Sequence, residues 1–205
     1  MKKQIKKVLI ACEFSGRVRE AFRAKGFDAW SCDLLPSIDK SPHHIEGDVC
    51  KIINDSWDLM VAHPPCTYLA NSGVCHLHKD PKRWINLFEA TNFFNELLNA
   101  PIKKIAVENP VMHKYAKRLI GGRQQTQTIQ PWMFGHKETK ATCLWLKNLP
   151  PLIATTDLKK QVFSLPTAER QRLHYLPPSP NRWMERSKTF KGIAEAMANQ
   201  WGMLS

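Results

Sequence analysis

At 205 residues, with 43% hydrophobic content and seven Trp, the chain is long enough for one domain with a real core and too apolar to be disordered. No apolar run approaches ~18–20 residues, which excludes a membrane-spanning helix. The formal charge of +12 is uneven: residues 1–102 carry 13 Lys+Arg against 12 Asp+Glu, and residues 103–205 carry 17 against 6.

A basic second half suits a polyanionic partner, most simply nucleic acid, although a solvated basic surface fits charge alone equally well. Within it, Lys159, Lys160, Arg170, Arg172, Arg182 and Arg186 are the candidates for phosphate contact. The basic start, Met1-Lys2-Lys3-Gln4-Ile5-Lys6-Lys7, leads only into Val8-Leu9-Ile10-Ala11 before Glu13. That is too short for a signal-peptide core, so a cytoplasmic location is expected. The six Cys form no CxxC pair, which fits reduced thiols. Cys75-His76-Leu77-His78, with His63 and Cys66 near in sequence, matches no standard zinc spacing and reads as a surface loop, so no metal is expected.

Lys7–Cys12 is a buried, non-alternating strand candidate. From Gly16, Val18, Ala21, Phe22 and Lys25 fall at helical spacing, and Gly26 stands where the helix should close. Phe27–Cys32 is a second strand ending at Asp33, and a short element, His44–Gly47, ends at Asp48. Trp57–Ala62 is the next strand, followed by a loop at Asn71-Ser72-Gly73. A long helix is expected over roughly Pro81–Leu98, with Trp84, Leu87, Phe88, Thr91, Phe94 and Leu98 facing the core. Lys104–Val107 continues a strand–helix alternation that predicts an α/β fold with a mostly parallel, doubly wound sheet. Beyond it, 121–127 reads as a polar loop and Thr142–Leu146 as a strand. Pro150, Pro151, Pro166, Pro177, Pro178 and Pro180 break up residues 147–186, and Phe190–Trp201 forms a closing helix.

Chemistry concentrates in His63-Pro64-Pro65-Cys66-Thr67 and Val107-Glu108-Asn109-Pro110, each directly after a buried strand. A thiol and a carboxylate leaving the carboxyl ends of two strands would share one crevice. A soft nucleophile and a proton-handling acid are what addition to an electron-poor ring requires. Glu13-Phe14-Ser15-Gly16 turns from the first strand into the first helix and would expose backbone N–H groups at a helix N-terminus. Asp33 is placed to accept from ribose hydroxyls and Asp48 from an exocyclic amine.

In this order, Phe14-Ser15-Gly16, Asp33, Asp48, Pro65-Cys66 and Glu108-Asn109-Pro110 resemble the C5-cytosine DNA methyltransferases, as do small phage-type proteins of similar layout. Phe134-Gly135 with Lys140, Thr142 and Leu144-Trp145-Leu146 is similar to the family's Gln-x-Arg-x-Arg strand, and Phe190–Ala194, with Gly192, to its Gly-Asn-Ala motif. The resemblance implies a Rossmann-like, S-adenosylmethionine-dependent methyltransferase fold, with residues 1–146 as catalytic core, 147–186 as a reduced recognition region and 187–205 as a returning helix. It implies Cys66, Glu108 and Asn109 as catalytic residues. Phe14, Ser15, Gly16, Asp33, Asp48, Pro65 and Gly192 would hold S-adenosylmethionine. Thr67, Lys140, Thr142, Arg170 and Arg172 would meet a flipped cytosine and its DNA. The sequence departs from the family pattern at Arg17, Val18 and Arg19, where glycines are usual, and the short 147–186 region leaves room for a separate recognition partner. An amino-methyltransferase remains open, although His63 stands where its Asp or Asn belongs and Tyr68 comes two residues late. A degenerate fold that only binds nucleic acid remains open too.

Overall fold

A computed structural model describes residues 5–204; the basic run Met1–Gln4 and Ser205 lie outside them. Among the described residues the strands form one sheet: β1 (Lys7–Ala11), β2 (Asp28–Asp33), β3 (His44–Glu46), β4 (Leu59–Ala62), β5 (Lys104–Pro110), β6 (Gln127–Ile129) and β7 (Thr142–Lys147). Their spatial order is β3-β2-β1-β4-β5-β7-β6. The pairings β2·β3, β1·β2, β1·β4 and β4·β5 are parallel, and β7 runs antiparallel to both β5 and β6. This is the expected α/β arrangement with a doubly wound sheet, mostly parallel with one reversed strand.

Both sheet faces are covered, which explains the unbroken apolar runs of β1 and β4. Leu9 and Ala11 point to one core with Met60, Phe94, Leu97 and Trp145. Val8 and Ile10 point to the other, with Phe22, Leu59, Met197 and Trp201. Helices α2 (Lys82–Asn99) and α3 (Lys114–Leu119) close the first face, while α1 (Arg17–Arg23) and α8 (Lys191–Gly202) close the second. Gly192 opens α8 where a Cβ would lie 1.9 Å from the Phe134 carbonyl oxygen, so only glycine permits that approach.

The long helix differs from expectation on one side. Leu87, Thr91, Phe94 and Leu98 are buried, but Phe88 is 55% and Trp84 38% exposed. The buried residues follow the i, i+4, i+7 ridge, and Leu97 completes it. Phe88 lies one residue off that ridge, and Trp84 packs edge-on with His78 and Tyr115 instead. Helix α3 and strand β6 emerge from stretches without a strong apolar period, and Gln127 of the expected polar loop begins β6. The Pro-broken region resolves into short helices, α4 (Lys159–Ser164), α5 (Thr167–Arg170), α6 (Arg172–Tyr175) and α7 (Arg182–Ser187). No helix among the described residues is long and apolar enough to cross a membrane.

Candidate active site

The carboxyl ends of β1, β2, β4 and β5 open into a cleft of about 680 Å³. After β4 the backbone N–H of His63 donates to the Ala11 carbonyl at 2.9 Å, pinning the loop to β1 before Pro64 and Pro65, which have no N–H to donate. The Cys66 carbonyl then accepts from Leu69 N at 3.1 Å and Ala70 N at 2.9 Å, turning the chain. A bridge between Ala70 and Met112, flanked by Asn71 N to Val111 O and His113 N to Leu69 O, ties this turn to the segment after β5. Cys66 and Glu108 are thus fixed relative to each other by backbone bonds, and both line the cleft.

Glu108 Oε2 lies 3.1 Å from His63 Nδ1. Burial alone would raise the Glu108 carboxyl, but the His63 hydrogen bond, the charge on that imidazole and Lys140 outweigh it and hold the group below the usual range. The Cys66 thiol moves the other way. Burial and then the Glu108 charge push it up, against smaller opposing effects of Lys140 and Arg186. Removing the Glu108 charge, or adding a cation, therefore favours the thiolate. His63 Nε2 is buried without a hydrogen-bond partner among the described residues and belongs to a residue of the cleft wall. A buried polar atom of this kind is costly unless a ligand satisfies it.

The other half of the cleft is walled by Glu13, Phe14, Ser15, Asp33, Leu35 and Trp183. Contrary to expectation, the N-terminus of α1 offers no free N–H groups to a ligand. The buried Glu13 carboxylate accepts from Val18 N at 2.7 Å and Arg19 N at 3.2 Å, and Ser15 Oγ accepts from Arg17 N at 3.4 Å. A phosphate placed there would meet a carboxylate, which disfavours dinucleotides and suits a cofactor without phosphate. Gly16, at φ 70, makes the turn; Arg19, fully buried, fills the space beneath it and pairs with Asp39 and Glu20 while donating to Ser31 Oγ at 2.8 Å. That network packs the turn from behind. Trp183 of α7 packs against Phe14, with ring centroids 5.4 Å apart, so the two rings form one aromatic wall. Asp33 gives one oxygen to Leu35 N at 3.0 Å, and burial raises its carboxyl. An apolar, aromatic wall beside a strand-end carboxylate has the chemistry to receive a nucleoside without phosphate, such as S-adenosylmethionine.

Of the candidate residues, Phe14, Ser15, Asp33, Pro65, Cys66, Thr67, Glu108 and Lys140 line this cleft. The others lie outside its wall. Gly16 makes the turn behind it, and Gly192 N donates to His136 Nε2 at 3.0 Å. Asp48 is exposed and accepts from Cys50 N at 3.0 Å, capping the turn at Val49–Lys51. Asn109 is fully buried opposite Cys143 of β7, and among the described residues its side-chain amide has no partner. Thr142 Oγ1 donates to the Lys140 carbonyl at 3.2 Å. Arg170 donates to the Leu165 carbonyl at 3.3 Å and to Thr167 Oγ1 at 3.1 Å, and Arg172 pairs with Glu138 at 2.9 Å. Residues not assigned a role from sequence include Glu13, His63 and Trp183, while Arg186, expected as a phosphate contact, also lines the cleft. His63 and Glu13 were visible as polar neighbours of the two key turns; nothing in sequence pointed to Trp183.

No protein-family model matches the sequence, and no curated protein matches it. Several solved structures are similar. One is described as a DNA modification methyltransferase encoded within a prophage of E. coli, at 16% identity and TM-score 0.47, covering 78% of this chain and 55% of that one. A methyltransferase of Entamoeba histolytica has 14% identity and TM-score 0.47, covering 76% and 58%. An rRNA methylase from Escherichia coli has 13% identity and TM-score 0.39, covering 70% and 57%. The chain spans little more than half the length of each.

Proposed function

We propose that the protein is an S-adenosylmethionine-dependent methyltransferase acting at C5 of cytosine in nucleic acid. The observation that carries this reading is the cleft shared by Cys66 and a Glu108 carboxylate held ionised by His63 and Lys140. When bound beside Phe14, Asp33 and Trp183, S-adenosylmethionine supplies an electrophilic methyl group. Cys66, as thiolate, adds to C6 of the ring, forming a C–S bond and moving an electron pair toward C5 and N3. Glu108 bonds N3, through a shared proton, and the exocyclic N4 amine, stabilising charge on the ring as the thiolate attacks, while Lys140 offsets negative charge nearby. Once C5 is substituted, loss of its proton and cleavage of the C6–S bond restore the aromatic ring and return the thiolate. A paired cytosine cannot reach such a site, so the base must leave its stack. In this reading residues 1–146 and 187–205 form the core, and 147–186 serve as a reduced recognition region that also contributes Trp183 to the cofactor wall.

Amino-methyl transfer is the weaker reading. It needs an aromatic side chain in the cleft after the prolines, whereas Tyr68 is outside the wall, its hydroxyl accepting from Asn86 Nδ2 at 3.0 Å and its ring under Arg83.

The test is trapping with an oligonucleotide carrying 5-fluorocytosine, whose C5 substituent cannot leave as a proton does. The wild type with S-adenosylmethionine should form a denaturant-stable adduct, and Cys66→Ala should not. Methylated adenine in the product, or full activity in Cys66→Ala, would falsify the C5 reading.

A further inference from the structure

Beside the reaction cleft lies a second cavity of about 360 Å³, walled by Gln130, Gln171, Leu173 and His174. Lys140 and Arg186 line both cavities. Lys140 Nζ is held at this common wall by donating to the Arg186 carbonyl at 2.8 Å. Among the described residues, neither the Arg186 guanidinium nor the Gln171 amide has a hydrogen-bond or ion-pair partner. Among those residues no acidic side chain lines the second cavity.

We infer that this second cavity receives the nucleotide covalently next to the target cytosine, with the phosphodiester between the two held by Lys140 and Arg186. The inference rests on the nucleic-acid reading above. Two cavities that meet at a pair of cations match two bases joined by one anionic link. The volume lies within the range of small-ligand sites, about 300–1,000 Å³. The Gln171 amide and the His174 imidazole offer donors and acceptors to a base edge, and Leu173 offers an apolar surface to its face. Gln130, whose Oε1 accepts from Lys140 N at 2.9 Å, has only its NH2 to add. Two successive bases out of their stack make a single strand or an unpaired loop the preferred substrate, because an intact duplex would lose pairing and stacking twice.

Binding to the full chain, measured by calorimetry without methyl donor, separates the parts. The probes are deoxycytidine monophosphate and dinucleotides with cytosine at either end, the second residue carrying a base or none. One dinucleotide polarity should bind about tenfold more tightly than the mononucleotide. That gain should vanish in the abasic dinucleotide and in the Gln171→Ala/His174→Ala variant, whose affinity for the mononucleotide stays unchanged. An equal gain for the abasic probe would mean a phosphate grip only, and a gain surviving in the variant would place the neighbour elsewhere; either overturns the inference. Methyl transfer to cytosine C5 without any dinucleotide gain would sink this inference alone. No mononucleotide binding and no transfer to any nucleic acid would sink it together with the methyltransferase reading.

Discussion

Burial and the Glu108 charge favour the neutral form of the Cys66 thiol, while Lys140 favours both anions. The consequence is a thiol largely protonated at neutral pH in the free protein. Alkylation of Cys66 by iodoacetamide, read at that site by mass spectrometry, should rise about tenfold per pH unit at neutral pH and still be rising above the titration of an ordinary exposed thiol. In Glu108→Gln, where the neighbouring negative charge is gone, the profile should move to lower pH. An unmoved profile would mean that Glu108 does not bear on the thiol. Asp33 lends itself to a binding experiment. If its carboxylate accepts from the cofactor ribose, Asp33→Ala should weaken S-adenosylmethionine binding by roughly 1.5–3 kcal/mol, about one to two decades. Because burial raises this carboxyl, affinity should also begin to fall, on acidification, at a higher pH than an exposed Asp would give. Asp48→Ala, removing an exposed turn cap, should change affinity far less.

Between elements, the decisive junctions are backbone ones, and they explain what could be read from sequence. The runs Val8–Ala11 and Leu59–Ala62 announced central parallel strands because both of their faces are buried, a pattern few other arrangements produce. The prolines of 147–186 foretold that no long helix forms there, and the described helices of that stretch have six residues or fewer. Helix α3 and strand β6 stayed hidden because their burial depends on neighbours far away in sequence, with Ala116 and Ile129 as their few core residues. The site was legible where chemistry sits at strand ends, at Cys66, Glu108 and Asp33. It was illegible where packing decides: Arg19 buried beneath the turn at Gly16, and Trp183 brought to Phe14 by the fold of α7. The closeness of α8 to Phe134 is testable. Gly192→Ala should lower stability by roughly 1–3 kcal/mol through overpacking, seen as a Tm several degrees lower. A Tm equal to wild type would show that the Phe134 segment gives way freely.

On the scale of the molecule, the uneven charge gains a more selective meaning once side-chain partners are known. Of the six cations in 147–186 taken as phosphate contacts, several are engaged within the protein. Arg170 and Arg182 donate to backbone carbonyls, Arg172 pairs with Glu138, and Lys159 lies over Trp132. Such groups hold the short helices α4 to α7 together, and a bound phosphate would have to displace their partners. Arg186 differs, because its guanidinium borders both cavities and acts on Cys66 from there. The salt dependence of binding to a single-stranded oligonucleotide should separate the two kinds of cation. Arg186→Ala should make the logarithmic slope shallower by about 0.7, the value for one lost phosphate contact on a single strand. Arg170→Ala should leave the slope unchanged while lowering Tm, since its bonds to Leu165 and Thr167 are structural. If the two variants changed the slope equally, the basic surface would act as a diffuse field, and the nucleic acid would not be held at the wall between the cavities.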